Sequence, residues 1–465
     1  MRVSTGLSNN IAILGWSDLS KGASLGGGYN LIAQQHALYL KNRGNNVYYL
    51  KSGRDFSLAG AFTQKTKQKI RFHKEWEGIE CYSLINPHNW APADRNSANR
   101  EYQISDEKQD GLVVNWLKKY QIDQVIIHSL EGQSFSLIPR LKEESISTLV
   151  FCHDYYFTCP RVSFLFEGKT PCLDCERGER CDSCMSEDFR FPLKQYLKSR
   201  FPLLAKKSGP LNTLATTSRT QLNVSNSTLL ESVKKGWGDS SWGMRNSQAI
   251  SALNQADRVL SPSCFLGEIL LAGGLEKNKL ELARIGLNHL DDLKKRPFIE
   301  GPQDGRIHFA FHGGSLYHKG VSLLLDAISL LKEETRAKAC FHLWGVSLSN
   351  EEKNIICYPP YKTDELSSHA SLYHVGILAH LWFENSPVAM LEHLAMGKAV
   401  ITPRLGGVED YIIDGKNGWF FEPGKGESLA QVLERIINDK EIPQVERSIV
   451  NNSENFFHSL EFIDS

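Results

Sequence analysis

The chain has 465 residues, of which 41% are hydrophobic and 23% charged, and it carries no formal net charge at pH 7. That length exceeds one ordinary hydrophobic core and predicts two domains. The balanced charge gives no general attraction to nucleic acid, which is therefore not expected among its partners. The apolar run Ile11–Trp16 is too short for a signal-peptide core, and no stretch reaches the roughly 20 apolar residues of a membrane helix, so a cytoplasmic protein is predicted.

Apolar, strand-like runs alternate with helical stretches through the first half of the chain. A glycine cluster, Gly26-Gly27-Gly28, precedes the first predicted helix, Leu31–Asn42. The predicted strands are Ile11–Gly15, Val47–Leu50, Val125–His128, Thr148–His153 and Arg258–Ser263. Strands that alternate with helices predict a parallel α/β sheet in an N-terminal domain of residues 1–290.

The segment from about residue 155 to 254 interrupts this rhythm and is predicted to be an insertion. It holds two Cys-x2-Cys pairs, formed by Cys172, Cys175, Cys181 and Cys184. Such pairs suit tetrahedral thiolate binding of a structural zinc ion. The gap between the pairs is short, so Cys159 is a candidate replacement for one ligand. Unliganded thiols and an iron–sulfur cluster are the alternatives.

A basic and aromatic run, Arg190–Lys207, follows the cysteines. Its composition is compatible with peripheral contact to a membrane surface near a lipid-linked acceptor. Pro192 and Pro202 break it, however, which favours a solvated or packed surface segment. Three histidines on or beside predicted strands are interpreted as structural: His128, His308 and His342.

The strand rhythm restarts after a polar link, Asp291–Gly305. The second set of predicted strands is Ile307–Phe311, Ala339–Trp344, Ile355–Tyr358, Gly376–Leu378 and Ala399–Thr402. These define a second α/β domain over residues 300–445. Residues 446–465 are interpreted as a tail that packs back on the N-terminal domain.

The stretch from Leu381 to Gly424 carries the clearest chemical signal. Ser386 and Pro387 are typical of a helix N-cap and first helical position. Glu384 then lies in the loop before that helix, and Glu392 lies about a turn and a half inside it. The helix start itself is an anion-binding site, since its free amides point outwards.

Several motifs in and before this stretch resemble the retaining glycosyltransferases of family 4. In the second half these are Glu384-x7-Glu392, Gly397–Val400, Gly406–Glu409, Asp414–Gly418 and the loop His312–Gly320. In the first half they are Gly26–Gly28, the pair His153-Asp154, Asp257–Ser263 and Ile285–His289. The resemblance implies a GT-B fold, in which an acceptor-binding and a nucleotide-sugar-binding Rossmann-like domain face each other across a cleft.

The resemblance also implies residue roles. Glu392 would hold the ribose hydroxyls, Glu384 the transferred sugar, and Lys319 the diphosphate. His153 would lie beside the sugar, so His153, Lys319 and Glu384 form the predicted catalytic set. The remaining predicted donor-binding positions are Gly26, Gly27, Gly28, Gly314, Asn385, Ser386 and Val388.

One position departs from the family pattern. The family carries an arginine where this chain has Gly314, so a second diphosphate cation would come from elsewhere, with Arg404 as a candidate. The chain contains no Asp-x-Asp triplet, and a catalytic divalent metal is therefore not expected.

The predicted function is retaining transfer of a hexose-type sugar from a UDP-, GDP- or ADP-linked donor. The acceptor would be a glycan, a lipid-linked or a small molecule, as in polysaccharide synthesis. A catalytically silent GT-B module that binds sugar or a partner protein is one alternative, because of Gly314. A phosphorylase or epimerase on the same fold is another.

Overall fold

Two β-sheets organise the chain, one in each half. The computed structural model describes residues 9–63, 66–93, 100–185, 190–200, 224–348 and 353–462. The first ten strands are β1 Asn10–Gly15, β2 Asn46–Asp55, β3 Lys69–Trp76, β4 Ile79–Ile85, β5 Gln124–Ile127, β6 Ser147–Phe151, β7 Leu165–Phe166, β8 Thr170–Pro171, β9 Arg258–Ser261 and β10 Leu280–Leu282.

Eight of these strands form the N-terminal sheet, in the order β10-β9-β6-β5-β1-β2-β4-β3. All neighbours are parallel except β3, which runs antiparallel to β4 at the edge. Residues Ile11 to Leu14 of the central strand β1 are at most 3% exposed. Burial on both faces explains why this strand is a continuous apolar run rather than an alternating one.

Ten helices accompany this sheet within the described residues. They are α1 Gly27–Asn42, α2 Leu58–Phe62, α3 Glu101–Ile104, α4 Glu107–Lys119, α5 Leu137–Glu143, α6 Cys181–Cys184, α7 Phe191–Arg200, α8 Asn226–Lys234, α9 Ser241–Leu253 and α10 Cys264–Ala272.

The C-terminal sheet has six parallel strands in the order β13-β12-β11-β14-β15-β16. They are β11 Ile307–Phe311, β12 Ala339–Trp344, β13 Ile355–Tyr358, β14 Val375–Ile377, β15 Ala399–Pro403 and β16 Gly418–Phe421. The described helices of this half are α11 Asn288–Lys295, α12 Val321–Leu330, α13 Glu333–Arg336, α14 Leu366–His369, α15 Val388–Ala395, α16 Gly426–Asp439 and α17 Ser453–Ser459. The prediction of two parallel α/β halves is therefore confirmed.

The cysteine-containing segment lies between β6 and β9. Its described part holds the antiparallel hairpin β7–β8 and the helices α6 to α9. The basic and aromatic run Arg190–Lys207 is a helix in its first part, α7, whereas residues 201–207 lie outside the described residues.

The last helix, α17, lies against the N-terminal domain. Phe456 contacts Phe151 of β6 at 5.6 Å between ring centroids, and Phe457 stacks on His36 of α1 at 5.7 Å. Arg258 of β9 donates to the carbonyl of Ser459 at 3.0 Å. The chain end thus connects the C-terminal half to the first sheet. None of the helices among the described residues combines the length and apolar character needed to span a membrane.

Candidate active site in the interdomain cleft

A cavity of about 430 Å³ lies between the two domains, where strands of both sheets end. The parallel strands point their carboxyl ends towards it, which is where open α/β sheets bind ligands. Residues of both domains line the cavity. They are Gly26, Gly28, Tyr29, Ile32, His153, Asp154, Pro262, Ile285, Phe311, His312, Gly313, His318, Lys319, Ile377, Leu378, Ala379, His380, Trp382, Glu384, Asn385, Ser386, Pro387, Val388 and Ala389.

The glycine cluster forms the start of α1 at one wall of the cavity. Gly26 and Gly27 have φ of 99° and 61°, a conformation that other residues rarely adopt. A Cβ at position 28 would lie 3.1 Å from Cγ2 of Val388, at the start of α15 in the other domain. The small residues therefore allow the two helix starts to approach. Gly26 and Gly28 line the cavity, whereas Gly27 does not.

His153 lies directly after β6 and lines the same wall. The ring of Tyr29 meets it edge-on, with 4.9 Å between centroids. Burial lowers the pKa of His153 well below its usual value, and the neighbouring His128 adds to this shift. His153 is consequently neutral at pH 7. Its carbonyl accepts a hydrogen bond from the side chain of Asn385 at 2.9 Å, across the domain boundary.

Lys319 and Glu384 form an ion pair on the opposite wall. The Nζ atom of Lys319 lies 2.5 Å from Oε1 of Glu384, and the indole of Trp382 donates to the same oxygen at 2.9 Å. Burial alone would raise the pKa of Glu384, but Lys319, His380 and the bond from Trp382 together outweigh burial, and the pKa is lowered. The carboxylate is therefore ionised at neutral pH, with a cation beside it.

The loop after β15 packs against the backbone of Glu384. The amide of Gly407 donates to the carbonyl of Glu384 at 2.7 Å. A Cβ on Gly406 would lie only 1.9 Å from that carbonyl oxygen, and the φ of Gly406 is 81°. A glycine is therefore required there. Asn226 of α8 binds Gly406 at both backbone groups, over 2.9 Å and 2.7 Å.

Helix α15 begins at Val388, not at Pro387. The prediction that Ser386 is its N-cap is therefore wrong. The Ser386 hydroxyl instead donates to the carbonyl of Pro262 in the N-terminal domain at 3.0 Å. No described side chain caps the first turn of α15. The amide of Met390 donates to the carbonyl of Pro387, which leaves the amides of Val388 and Ala389 at the cavity wall to bind an anion in the cleft.

Glu392 lies deeper than Glu384 and does not line the cavity. It is 2% exposed, compared with 8% for Glu384. Nε2 of His289 lies 3.1 Å from Oε1 of Glu392, and the hydroxyl of Tyr361 donates to Oε2 at 2.9 Å. Both carboxylate oxygens thus have protein partners in this structure.

Gly314 and Arg404 both lie away from the cavity lining. Gly314 has a φ of 68°. Arg404 pairs with Glu409 at 2.6 Å and lies over the ring of Phe420. Arg404 is therefore not part of the cavity lining, and its role as a replacement for the missing arginine stays a prediction.

His318 is a cleft residue that sequence reasoning missed. It lines the cavity next to Lys319, and its ring meets Trp382 edge-on at 5.3 Å. Burial lowers the pKa of His318 to about 4, and Lys319 contributes to the shift. Its place directly before Lys319 in the loop was the signal available in the sequence.

The four predicted zinc ligands lie together with Cys159 around a second, small cavity. Burial raises the pKa of the Cys159 thiol to about 11, and burial together with neighbouring cysteines raises that of Cys172 and Cys181 still further. The amide of Cys175 donates to Ser232 of α8 at 3.1 Å.

A tighter group of ligand-type side chains lies elsewhere. Among the described residues, His308, Cys340 and His342 bring three such atoms within 4.8 Å of one another. Nδ1 of His308 is 2.9 Å from Nε2 of His342. The other ring nitrogens bind Asp304, at 3.1 Å, and Tyr358, at 2.9 Å. All four ring nitrogens thus have protein partners, which agrees with the structural interpretation of His308 and His342.

The C-terminal half of the chain resembles a known protein family in sequence. Residues 293–455 match the family model described as Glycosyl transferases group 1. The match runs from α11 into α17 and includes Lys319, Glu384 and Glu392. No curated protein matches the chain at a significant level of sequence similarity.

Solved structures resemble the chain over nearly its full length. The lipopolysaccharide outer core galactosyltransferase WaaB is 13% identical, with 97% of each chain covered and a TM-score of 0.56. Sucrose-phosphate synthase from Thermosynechococcus elongatus is 14% identical, with 97% of this chain and 94% of that chain covered and a TM-score of 0.54. HepE from Anabaena, solved in complex with UDP, is 11% identical, with 93% and 91% covered and a TM-score of 0.52. The chain has the GT-B fold.

Proposed function

We propose that this protein is a retaining glycosyltransferase that moves a hexose-type sugar from a nucleoside-diphosphate donor to an acceptor hydroxyl. One observation carries the proposal. A single cleft brings His153 of the N-terminal domain together with Lys319 and Glu384 of the domain that matches the group 1 glycosyl transferases. The family 4 resemblance of the motifs supports retention of configuration.

The charges of the cleft suit a leaving diphosphate. Lys319 provides a cation already held in place by Glu384 and Trp382. The free amides of α15 add the positive end of a helix dipole. Charge that is positioned before the reaction stabilises a developing anion without reorganisation at the moment of reaction. Glu384 then faces the sugar, where a carboxylate stabilises positive charge that develops at the anomeric carbon.

We propose His318 as the second cation that Gly314 does not provide. Its ring faces the cleft beside Lys319 and is neutral at pH 7 because of its lowered pKa. A bound diphosphate would favour the protonated ring, since an opposite charge nearby favours the charged form. His318 would take up a proton as the donor binds.

The ribose hydroxyls are proposed to bind Glu392, as the family resemblance implies. Because His289 and Tyr361 hold the two oxygens of Glu392, a bound ribose would replace at least one of them. Tyr361 is the better candidate, since it lies in the loop after β13, whereas His289 lies in α11.

The reaction is proposed to need no divalent cation. The chain has no Asp-x-Asp triplet, and Asp154 and Glu384 are the acidic residues that line the cavity. Glu384 is already neutralised by Lys319. Turnover that survives a short incubation with excess EDTA is expected, and prompt loss restored by Mg²⁺ or Mn²⁺ would contradict it.

A structural zinc ion is proposed for the cysteine cavity. Cys159, Cys172, Cys175, Cys181 and Cys184 line this cavity, and thiolates are the preferred zinc ligands of closed structural sites. Among these described cysteines, no three sulfur atoms lie within 4.8 Å of one another, so the thiols would have to move together to bind the ion. The ten cysteines of the chain are free, which suits the reducing conditions of the cytoplasm that we propose as its location.

A glycan or lipid-linked acceptor is proposed on the N-terminal side of the cleft. Helix α7 supports the lipid-linked form, because Leu197 is 46% exposed beside Lys198 and Arg200. Sedimentation with vesicles that contain anionic lipid tests this contact. Equal sedimentation of wild type and a Leu197→Ser variant would count against it.

The experiment for the main proposal measures ligand binding and turnover on the full chain. UDP is the first ligand, because the similar HepE structure contains it, followed by GDP and ADP. A ligand at 100 times its Kd stabilises the folded state by about 2.7 kcal/mol, which a thermal-shift assay detects. Release of nucleoside diphosphate from a nucleotide sugar, lost in Lys319→Ala, would support transfer, and NMR of the anomeric signal would test retention.

A silent GT-B module is the second candidate, favoured by Gly314. It predicts binding of a nucleoside diphosphate or sugar without any release from a donor. Failure of UDP, GDP and ADP to bind would contradict the transferase, and failure of free sugars to bind as well would contradict the silent module.

A further inference from the structure

Three buried histidines form a line that runs from the cleft into the N-terminal domain. Nε2 of His153 lies 2.8 Å from Nδ1 of His128, and Nε2 of His128 lies 3.0 Å from Nδ1 of His36. His36 belongs to α1, His128 follows β5 and His153 follows β6. The line therefore runs from helix α1 to the ends of the neighbouring strands β5 and β6. Both distances are those of hydrogen bonds.

The line is composed of neutral rings. Burial lowers the pKa of His128 to about 3, and it lowers those of His36 and His153 well below their usual values. A neutral imidazole has one N–H donor and one lone-pair acceptor. His128 can therefore donate to only one neighbour and must accept from the other. Both hydrogen bonds consequently point in the same direction along the line. The N–H therefore lies on the same ring nitrogen, either Nδ1 or Nε2, in all three histidines.

The far end of the line, at His36, indicates the direction in which the two hydrogen bonds point. Nε2 of His36 is buried and has no hydrogen-bond partner among the described residues. The ring stacks instead on Phe457 of α17. Buried N–H groups without an acceptor are rarer in proteins than incompletely satisfied acceptors. A lone pair at this end requires His36 to donate to His128 and His128 to donate to His153, which leaves the N–H of His153 on Nδ1.

We propose that His36 and His128 are positioning residues that fix the tautomer and orientation of His153, so that its Nδ1–H is offered to an acceptor atom of the sugar in the cleft. This inference rests on the proposed function for its ligand, but not for the tautomer itself. His153 is the one member of the line that lines the cavity. Its remaining nitrogen is the polar atom that the ring can present there.

The surroundings keep the line rigid. The rings of Phe151 and Tyr29 both meet the ring of His153 edge-on, at 4.6 Å and 4.9 Å between centroids. Phe457 closes the opposite end at His36. The last helix of the chain thus contacts the far end of a line that reaches the cleft. A change in the packing of α17 against His36 would therefore reach His153 through the two hydrogen bonds, without any contact between α17 and the ligand.

The tautomer test uses long-range proton–nitrogen NMR of the full chain labelled at histidine nitrogen. Among the signals of the 15 histidines, those of the three rings are assigned through single His→Gln variants at positions 36, 128 and 153. The expected spectrum has Nδ1–H in all three rings, with no protonation from about pH 8 to about pH 6, where an ordinary histidine titrates. Different tautomers in the three rings, or Nε2–H in all of them, would overturn the proposal.

The functional test compares two substitutions at His36, which lies outside the cleft lining. His36→Phe removes the donor and keeps an aromatic ring against Phe457. His36→Asn keeps an N–H donor near the position of Nδ1. We expect His36→Phe to lower kcat/KM for the nucleotide sugar about tenfold, with unchanged affinity for the free nucleoside diphosphate, since a tenfold change corresponds to about 1.4 kcal/mol. His36→Asn should restore the tautomer of His153 and most of the lost rate.

A purely structural role for His36 predicts a different outcome. Both variants would then lose thermal stability while the tautomer of His153 and kcat/KM stayed the same, and the proposal would be wrong. Absence of nucleotide binding and turnover in the wild type would contradict the proposed function instead. The NMR result would still decide the shared tautomer in that case.

Discussion

The side-chain amide of Asn385 donates to the carbonyl of His153 at 2.9 Å, so the loop that carries Glu384 is joined to the wall that carries His153. The two residues are 232 positions apart in the chain. Next to this bond, Ser386 donates to Pro262 across the same boundary. The cleft is thus held closed on one side by side chains from the loop just before α15.

The two glutamates of this region should have separable roles. Glu392→Gln should weaken binding of the donor and of free nucleoside diphosphate alike, because a charge-assisted bond to ribose contributes about 1.5–3 kcal/mol. Glu384→Gln should leave nucleoside diphosphate affinity nearly intact and lower kcat, because its contact strengthens as the sugar becomes cationic. Calorimetry with nucleoside diphosphate, beside initial rates, measures both effects.

Glu427 provides the matched control for these variants. It is an exposed glutamate in the first turn of α16, and it does not line the cavity. Glu427→Gln should change neither binding nor rate substantially. An equal loss of nucleoside diphosphate affinity in Glu384→Gln and Glu392→Gln would show that the two roles are assigned wrongly.

His318 should make donor affinity depend on pH. Burial and Lys319 lower the pKa of His318 to about 4, so the ring is neutral near pH 7 and must gain a proton to act as a cation. Affinity for a nucleotide sugar should therefore rise as pH falls from 7 towards 5, by up to about tenfold per pH unit, and binding should take up a proton. Lys319, Glu384 and His380 are the charged or titratable groups that act on the ring.

Two variants at this position isolate the effect. The His318→Arg variant has a permanent cation and should bind the nucleotide sugar tightly at all these pH values. His318→Gln should keep the weaker affinity of the neutral ring throughout. Calorimetry in buffers of different ionisation enthalpy measures the proton uptake, and a pH dependence that persists in His318→Gln would assign it to another group.

The sequence predicted most of the parallel strands, because each of these is a short apolar run bounded by turns. It did not reveal β3, since Lys69–Trp76 is an exposed edge strand rich in charged residues, and it also missed the parallel strands β4, β10 and β16. The order of motifs located Lys319, Glu384 and His153 at the cleft, because strand ends in a parallel sheet converge. Burial of Glu392 by Tyr361 and the alignment of His36 with His128 depend on side-chain packing between distant elements. No local pattern encodes such contacts.

Asn226 should link the cysteine-containing segment to turnover. It holds both backbone groups of Gly406, whose loop supports Glu384. Asn226→Ala removes both hydrogen bonds to Gly406, each worth about 0.5–1.5 kcal/mol, together with a longer one to Glu409 at 3.3 Å, and should lower kcat several-fold. Asn254→Ala is the matched control, since Asn254 also binds two backbone groups, those of Gly274 and Glu276, at the end of α9. Equal rates for the two variants, measured at saturating donor, would contradict the link.

The cysteine cavity should contain about one zinc ion per chain. Elemental analysis of the purified protein measures it, and Cys172→Ser or Cys181→Ser should abolish the metal, whereas Cys81→Ala in β4 should not. Cys159→Ser decides whether this fifth thiol is a ligand. Freely titratable thiols in a zinc-free native protein would rule the site out. Because Cys175 contacts Ser232 of α8, and α8 begins at Asn226, metal loss is expected to lower turnover as Asn226→Ala does.

Tyr361→Phe should strengthen nucleoside diphosphate binding. The hydroxyl of Tyr361 donates to Oε2 of Glu392 at 2.9 Å, at the oxygen that we assign to the ribose. Its removal leaves a buried carboxylate oxygen without that partner in the free protein, and a buried charged acceptor left unpaired costs stability. The ring remains and keeps its contact with His312, at 4.7 Å between centroids.

Two quantities should therefore move in opposite directions. The Tm of the free variant should fall, and the increase in Tm on adding nucleoside diphosphate should grow, with affinity higher by up to about tenfold, or about 1.4 kcal/mol. Tyr358→Phe is the control, since its hydroxyl lies 2.9 Å from His342 and away from Glu392. If Tyr361→Phe binds the nucleoside diphosphate more weakly than wild type, the hydroxyl is a ligand contact rather than a competitor, and the ribose must bind Glu392 without displacing it.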